Sequence, residues 1–419
     1  MIVGGGFAGL ACCRALRRAR AEIILVDRQN HHTFQPLLYQ VATAALSPAN
    51  IASPIRRIIG RQRNAGVALA EAESVDLDAG VLRVAGRDVA YDYLVLACGM
   101  THAYFGNDHW APHAPGLKSI DDALEIRRRI LLAFETAELE DDPVKRQSKL
   151  TFVLIGGGPT GVELAGAIKE IAAQSIPRDF KRVDTRAARV VLVEGQDRLL
   201  PAFPPKLSDR ARRDLESIGV EVELTTRATD IDAGGVTLER AGRTERIESR
   251  CVIWSAGLKA EPVGGTLGAE ADRAGRVKVG GDLALPGRPN VFVVGDQMSY
   301  EDPVSGEPVP GVAQGAMQSG AFVGRVISRE LGGDPPPRPT FRYRDKGLMA
   351  TIGRARAVAK IGSVTIAGFP AWVLWSVIHI AFLIGFRSKL LAMLEWAWVY
   401  IFWSRGARLI TGPRRRPHE

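Results

Sequence analysis

Short apolar runs that end in glycine recur along this chain, and the helix-like stretches between them set its first reading. Phe152–Ile155 runs into Gly156, and a segment with helical character follows. Ile2 and Val3 enter Gly4 in the same way, which predicts a helix to about Arg20 and a second strand at Ile23–Val26. Small strands should continue through about Val89. Tyr93–Gly99 and Val252–Gly257 read as buried strands closed by glycine, and Pro289–Asp296 as one closed by Gly-Asp. Ile120–Leu139 has the spacing of an amphipathic helix, Glu140–Lys149 reads as a charged linker, and Arg189–Glu194 as a strand. Phe341–Gly362 alternates as a β-segment does. Strands and helices in this order predict an α/β fold.

Two of the glycine turns carry chemistry. Gly156, Gly158 and Gly161 have G-x-G-x-x-G spacing between strand and helix, and Gly4, Gly6 and Gly9 repeat it. The first glycine permits the tight turn, the second lets a pyrophosphate approach the backbone, and the third lets helix and strand pack closely. Two such sites about 150 residues apart imply that one bound nucleotide delivers electrons to the other. Asp27, 18 residues beyond Gly9, stands where a carboxylate holds a ribose 2′-hydroxyl; alone it would read as an exposed Asp closing a strand. Glu194 takes the same place in the second unit, 33 residues beyond Gly161, so an insertion is expected around residues 175–185. A carboxylate there favours NADH, because it repels the 2′-phosphate of NADPH. Met1, Ile2 and Val3 alone precede Gly4, fewer than a first strand usually has, so the expected start lies slightly upstream.

Composition narrows the class. The chain has 419 residues, enough for two or three domains. Its four cysteines have neither disulfide-framework nor zinc spacing, so no metal site is expected and a reducing compartment is the default. Residues 341–419 hold 13 Lys/Arg and 3 Asp/Glu, a net +10 out of the chain's +9, which leaves −1 for the rest. The basic balance therefore reads as a tail. Within it Pro370–Phe386 is uncharged, Leu390–Trp403 carries only Glu395, and five of the seven tryptophans fall here. Seventeen residues make a helix of about 25 Å, short of the roughly 30 Å hydrocarbon core. The expectation is two short helices in one leaflet, with Trp372, Trp375, Trp396 and Trp398 buried in lipid. Arg405, Arg408 and Arg414–Arg416 are expected on an anionic membrane surface, and nucleic acid is not expected. A single span or a buried dimer helix is the alternative. Asn30–Ile55 lacks a clear period and suits a loop over a planar ring. Gln314 and Gln318 lie one turn apart on a helix that begins near Val312; read blandly, they are two solvated amides. Pro335–Pro339 reads as a linker.

The chain resembles the two-dinucleotide-domain flavoproteins and, more narrowly, the type II NADH:quinone oxidoreductases. The resemblance rests on GGGFAG, HHTFQPLLYQVATAALSP, GGGPTGVELAG, VFVVGD followed by AQGAMQ, YRDKGLMATIGRARAV and the Trp-rich tail. It implies two Rossmann-like domains, the NADH domain inserted in the FAD domain, plus a C-terminal membrane-anchoring helical region. The boundaries are 1–115 and 259–340 for FAD, 116–258 for NADH, and 341–419 for the membrane region. Carried over, Gly4, Gly6, Gly9, Asp27, Gly99, Gly295 and Asp296 would bind FAD. Gly156, Gly158, Gly161, Glu194 and Gly257 would bind NADH. Glu163 and Lys346 would lie by the reacting rings, and Gln314 and Gln318 would border the quinone. Hydride would pass from NADH to the flavin and two electrons onward to a membrane quinone, without proton pumping. The implied location is the cytoplasmic face of the inner membrane, peripheral or monotopic, with a possible homodimer.

Two other readings stand beside this one. A sulfide:quinone oxidoreductase shares the fold and tail but needs two reactive cysteines flanking the flavin, which adjacent Cys12 and Cys13 cannot supply. A flavin-bound, redox-responsive interaction module would keep the cofactor without the turnover.

Overall fold

The computed structural model describes residues 1–333, 337–403 and 405–412. Pro335, Pro336 and Arg414–Arg416 lie outside the described residues. Two compact units interleave along the chain: Met1–Thr33, Ala52–His102 and Leu258–Lys346 form the first, and Phe34–Ile51, Ala103–Gly257 and the remainder from Gly347 form the second.

The first unit is built on a six-stranded sheet, ordered Ala284–Leu285, Arg288–Val293, Leu94–Leu96, Ile2–Val3, Ile23–Asp27 and Ala65–Leu69. All neighbours are parallel except the first pair. Parallel strands are covered on both faces, which is why these runs are continuously apolar. Helices Phe7–Ala15 and Ala313–Glu330 pack at backbone distance. A Cβ on Gly320 would lie 2.0 Å from the Ala8 carbonyl oxygen, so no larger residue fits there. The first helix ends at Ala15, short of the expected Arg20; Arg17, Arg18 and Arg20 follow it in turns.

The second unit has a four-stranded parallel sheet, ordered Val220–Glu223, Arg189–Val193, Thr151–Ile155 and Cys251–Trp254. A three-stranded meander (Arg227–Asp232, Gly235–Arg240, Arg243–Glu248) packs on it through Ile231, Val236, Leu238 and Ile247. Between helix Pro159–Glu170 and strand Arg189–Val193 the chain makes a π-turn at Ile171–Ser175, and irregular backbone then runs to Thr185–Ala187. The long spacing to Glu194 is taken up there. A second antiparallel sheet, Leu348–Gly353, Arg356–Ile361 and Val364–Ala367, leads into the tail helices Phe369–Phe382 and Phe386–Phe402.

Several expectations are corrected. Pro143–Lys149 is a helix and not a linker, because the Asp142 carboxylate caps it by accepting from Val144 and Lys145 with Pro143 in the first turn. Residues 34–51 are no open loop. Short helices Gln35–Leu37, Leu38–Ala42 and Pro48–Ile51 bury Leu37, Leu38, Tyr39, Val41 and Leu46, and each is too short to show a period. The tail helices break at Gly385, whose φ is +88°, so Arg387 and Lys389 open the second helix and do not end the first. Among the described residues no helix is long and apolar enough to cross a membrane.

Candidate nucleotide sites and a cavity in the second unit

The two glycine loops have the same anatomy. In the first, Gly4 has φ +103°, and an added Cβ would sit 2.3 Å from the Ala97 carbonyl oxygen; on Gly9 it would sit 1.8 Å from the Gly4 oxygen. In the second, Gly156 has φ +111° and a Cβ on Gly161 would lie 1.9 Å from the Gly156 oxygen. At the middle glycines, Gly6 and Gly158, an added Cβ meets nothing within 4 Å. Each loop is thus closed against its own fold at the outer glycines and open at the one where a pyrophosphate approaches a helix N-terminus. That open cradle fits a dinucleotide.

The carboxylates sit where the sequence placed them. Asp27 Oδ2 accepts from the Gly5 amide at 2.5 Å and Oδ1 from Gln29 at 2.7 Å. Glu194 Oε2 accepts from Gly157 at 2.6 Å and Oε1 from Gln196 at 2.8 Å. Each strand-end carboxylate is therefore held beside its loop. Glu194→Gln should raise kcat/KM for NADPH relative to NADH by roughly 5- to 150-fold, the worth of about 1–3 kcal/mol of like-charge repulsion. Steady-state kinetics with both donors measures it, and an unchanged ratio would place Glu194 away from the ribose.

His32 escaped the sequence reading, although the HH pair was in view. It is buried beside Phe7, and burial pushes its imidazole down to about 4. Neutral, it donates from Nδ1 to the Gly5 carbonyl at 3.1 Å, so the Gly5 peptide is held on both sides. Gly99, at φ +75°, faces open space, whereas a Cβ on Gly257 would strike the Phe105 ring at 2.5 Å. Gly295 donates its amide to Ser319 Oγ at 3.0 Å, and Asp296 follows in the same turn beside Gly311. Buried Gln297, also missed, accepts from the Cys98 amide and donates to the Glu261 carbonyl.

Gln314 and Gln318 lie on the helix that packs on the first glycine-loop helix, and neither is simply solvated. Gln318 clasps Arg344 in both directions, each bond 3.0 Å, and so fixes the segment that carries exposed Lys346. Gln314 Oε1 is buried with no hydrogen-bond partner among the described residues, as an acceptor awaiting a ligand would be.

The second unit contains a cavity of about 690 Å³, counting the space at its mouth. Tyr39, Gln40, Glu163 and Glu170 line one side, and Trp372, Trp375, Trp396 and Tyr400 of the tail line the other. Burial pushes the Glu163 carboxyl up to about 8, against hydrogen bonds from Thr351 that favour the charged form. A series of bonds reaches it from the tail. Trp396 Nε1 donates to Gln40 Oε1 (2.6 Å), Gln40 Nε2 donates to the Tyr39 oxygen (3.0 Å), and the Tyr39 and Thr351 hydroxyls lie 3.0 Å apart.

The tail residues thus depart from the membrane reading. Trp375 is 2% exposed and stacks on His379 at 4.1 Å, and Trp396 tilts over it; of the tryptophans expected in lipid, Trp398 is the exposed one. Arg405 is not on a headgroup surface. It is 5% exposed, paired with Glu170 at 3.2 Å and donating to the Thr43 carbonyl at 2.9 Å. Arg408 pairs with Asp179. Burial of apolar and paired groups inside the unit outcompetes lipid for these positions.

Cys12, Cys13 and Cys251 are buried, and burial pushes the four thiols up to about 12, 11, 12 and 12 for Cys12, Cys13, Cys98 and Cys251. All four are free and protonated at neutral pH, which leaves no thiolate for sulfide chemistry.

Two parallel-sheet units, each with an open glycine cradle and a strand-end carboxylate bonded to it, define a two-dinucleotide oxidoreductase. A family model described as pyridine nucleotide-disulphide oxidoreductase matches residues 1–320. A type II NADH:quinone oxidoreductase of Mycobacterium tuberculosis is 47% identical over 98% of this chain and 90% of its own length. The structure of NDH2 from Plasmodium falciparum in complex with NADH superposes with a TM-score of 0.90 at 19% identity, over 98% of this chain and 99% of that one. The Aquifex aeolicus sulfide:quinone oxidoreductase shares the fold at a TM-score of 0.73 and 18% identity, covering 98% and 95%. The chain belongs to the type II NADH:quinone oxidoreductases, within the pyridine nucleotide-disulphide oxidoreductase family.

Proposed function

We propose that the two units divide the NADH:quinone reaction between them, the first holding FAD and the second NADH. The observation that carries this is the pair of cradles, closed at the outer glycines and open at the middle one, each with a carboxylate at its ribose side. Bound FAD supplies two-electron chemistry, accepting from NADH and donating to quinone. The balance is NADH + H⁺ + quinone → NAD⁺ + quinol, so one proton comes from the medium. Glu163 is suited to hold it: a carboxyl pushed up to about 8 is protonated at neutral pH. Gln314 and Gln318 would border the quinone, and Lys346 would lie by the flavin, where a cation offsets developing negative charge. Gly99, Gly295 and Asp296 complete the FAD site, and Gly257 the NADH site, in this reading.

The exposed apolar side chains of the tail, among them Val377, Phe386, Leu394, Trp398 and Ile401, fit a bilayer surface. Their helices are too short to cross it. We place the protein on the membrane that dissolves its quinone, at the cytoplasmic face where NADH is available, with anionic lipid as partner and a homodimer as its assembly.

The test uses an anaerobic visible spectrum. NADH should bleach the flavin bands and quinone should restore them. Changing Gln314 and Gln318 together to Leu should slow restoration by about tenfold or more, one lost hydrogen-bonded contact or two. Bleaching by NADH in stopped flow should stay near wild type. Equal slowing of both phases would make that helix face structural.

A further inference from the structure

Eight arginines that the sequence scatters over two stretches are collected on one side of the first unit. Arg14, Arg17, Arg18 and Arg20 lie at the end of the first glycine-loop helix, and Arg56, Arg57, Arg61 and Arg63 lie on and just after helix Ile55–Ile59. The stretches are fastened together. Gln62 donates to the Cys13 carbonyl at 2.8 Å, and Asn64 donates to the Leu16 and Ala19 carbonyls at 3.1 Å each. Helix Ala313–Glu330 crosses here too: a Cβ on Gly324 would lie 2.6 Å from that of Ala15, and exposed Arg325 follows it.

All eight arginines are exposed, and none makes an ion pair among the described residues. Elsewhere many arginines are neutralised: Arg28, Arg129, Arg189, Arg246, Arg338 and Arg405 all have carboxylate partners. Glu22 is the one acid within residues 14–22 and 52–66. Like charges this dense repel one another, and a polyanionic partner relieves that repulsion. Neither stretch contains a Phe, Tyr or Trp on which a base could stack, which disfavours single-stranded nucleic acid. Among the described residues the tail offers little free basic charge. Arg405 and Arg408 are spent on Glu170 and Asp179, so its described helices retain Arg387 and Lys389 against Glu395.

We propose that this arginine cluster is the docking surface for the anionic headgroups of a phospholipid bilayer, with apolar attachment supplied separately by the tail. The proposal rests on the membrane reading above. Each arginine near such a surface changes partitioning about fivefold, so engaging half the cluster is enough to decide where the protein resides.

The FAD-loaded full chain is co-sedimented with neutral phosphatidylcholine vesicles and with vesicles that also contain phosphatidylglycerol, across a salt series. Arg17, Arg18, Arg56 and Arg57 are changed together to Gln in one variant. Arg178, Arg213, Arg243 and Arg273, exposed and dispersed, are changed to Gln in a charge-matched second. The cluster variant should lose about tenfold or more in affinity for the anionic vesicles. It should bind neutral vesicles as wild type does, and keep its flavin spectrum and its turnover with a soluble quinone. The dispersed variant should lose far less. Equal losses in the two variants would overturn the proposal, since net charge alone would then act. Cluster-dependent binding to duplex DNA with no preference for anionic lipid would overturn it in favour of another polyanion. Wild type that binds neither vesicle would overturn the membrane reading, and this proposal with it.

Discussion

Arg405→Ala is expected to cost about 3–5 kcal/mol of stability, as much as truncating a large core side chain. The substitution leaves Glu170, with 16% of its side chain exposed, without its ion-pair partner, while the Thr43 carbonyl loses its donor. Glu170 also accepts from the Arg354 amide, and the Arg354 guanidinium is held over Tyr400 and Trp403 at 4.1 and 4.4 Å. One buried pair therefore ties the chain beyond the last helix, the second glycine-loop helix and the second antiparallel sheet. Pairing Arg405→Met with Glu170→Gln should recover most of the loss, because no charge is then buried unpaired and Gln still accepts from Arg354. Chemical denaturation of the two variants and the wild type measures it; a double variant no better than the single would mean that packing, and not charge, fixes the segment. The tail is thereby more than an anchor. Cutting before Val364 would also remove Ala371 and Trp375 from the interior of the unit, so release from membranes would come with unfolding there.

The second large effect separates folding from binding within one loop. Gly161→Ala should prevent the second unit from folding, because the methyl would lie 1.9 Å from the Gly156 oxygen and 2.8 Å from Ser255 Oγ. The first of these is backbone and cannot rotate away. Gly158→Ala meets nothing within 4 Å and should leave the melting temperature unchanged. Its methyl would instead occupy the space a pyrophosphate enters, so KM for NADH should rise by about tenfold or more, roughly 1.4 kcal/mol of lost binding. Thermal melts and steady-state kinetics on the two variants distinguish these outcomes. A Gly158→Ala enzyme with wild-type KM would show that the open cradle is not where the dinucleotide lies.

The features legible in the sequence were those written locally. A glycine turn, the strand before it and the carboxylate at the end of the next strand are read from short spacings, and both nucleotide units follow that pattern. Even the long gap before Glu194 announced its insertion. What the sequence hid depended on distant partners. Arg405 and Glu170 are 235 residues apart, and an arginine in a basic, Trp-rich tail looks identical whether it meets lipid or a buried carboxylate. Aromatic content likewise cannot say which side of a helix turns inward, and so Trp375 and Trp396 were assigned to the bilayer. Segment-wide charge misled in another way: a net of −1 over the first 340 residues averaged the eight clustered arginines against acids located elsewhere. The helices of residues 34–51 were missed because three to five residues do not complete a periodic pattern.

The bonds that run from Trp396 through Gln40, Tyr39 and Thr351 reach Glu163 in one line. The Gln40 amide donates to the Tyr39 oxygen, the Tyr39 and Thr351 hydroxyls share a bond, and the Thr351 backbone N–H donates to Glu163. Such a line polarises, but it does not conduct. An indole N–H and a carboxamide neither give up nor accept a proton near neutral pH, and burial drives the Tyr39 phenol further above its ordinary range. The tail side of the cavity accordingly offers Glu163 no proton, and any exchange at this carboxyl goes through water or ligand within the cavity itself. Exchange at this carboxyl would then be limited by wetting: a bulky occupant that dries the cavity would cut it off from solvent.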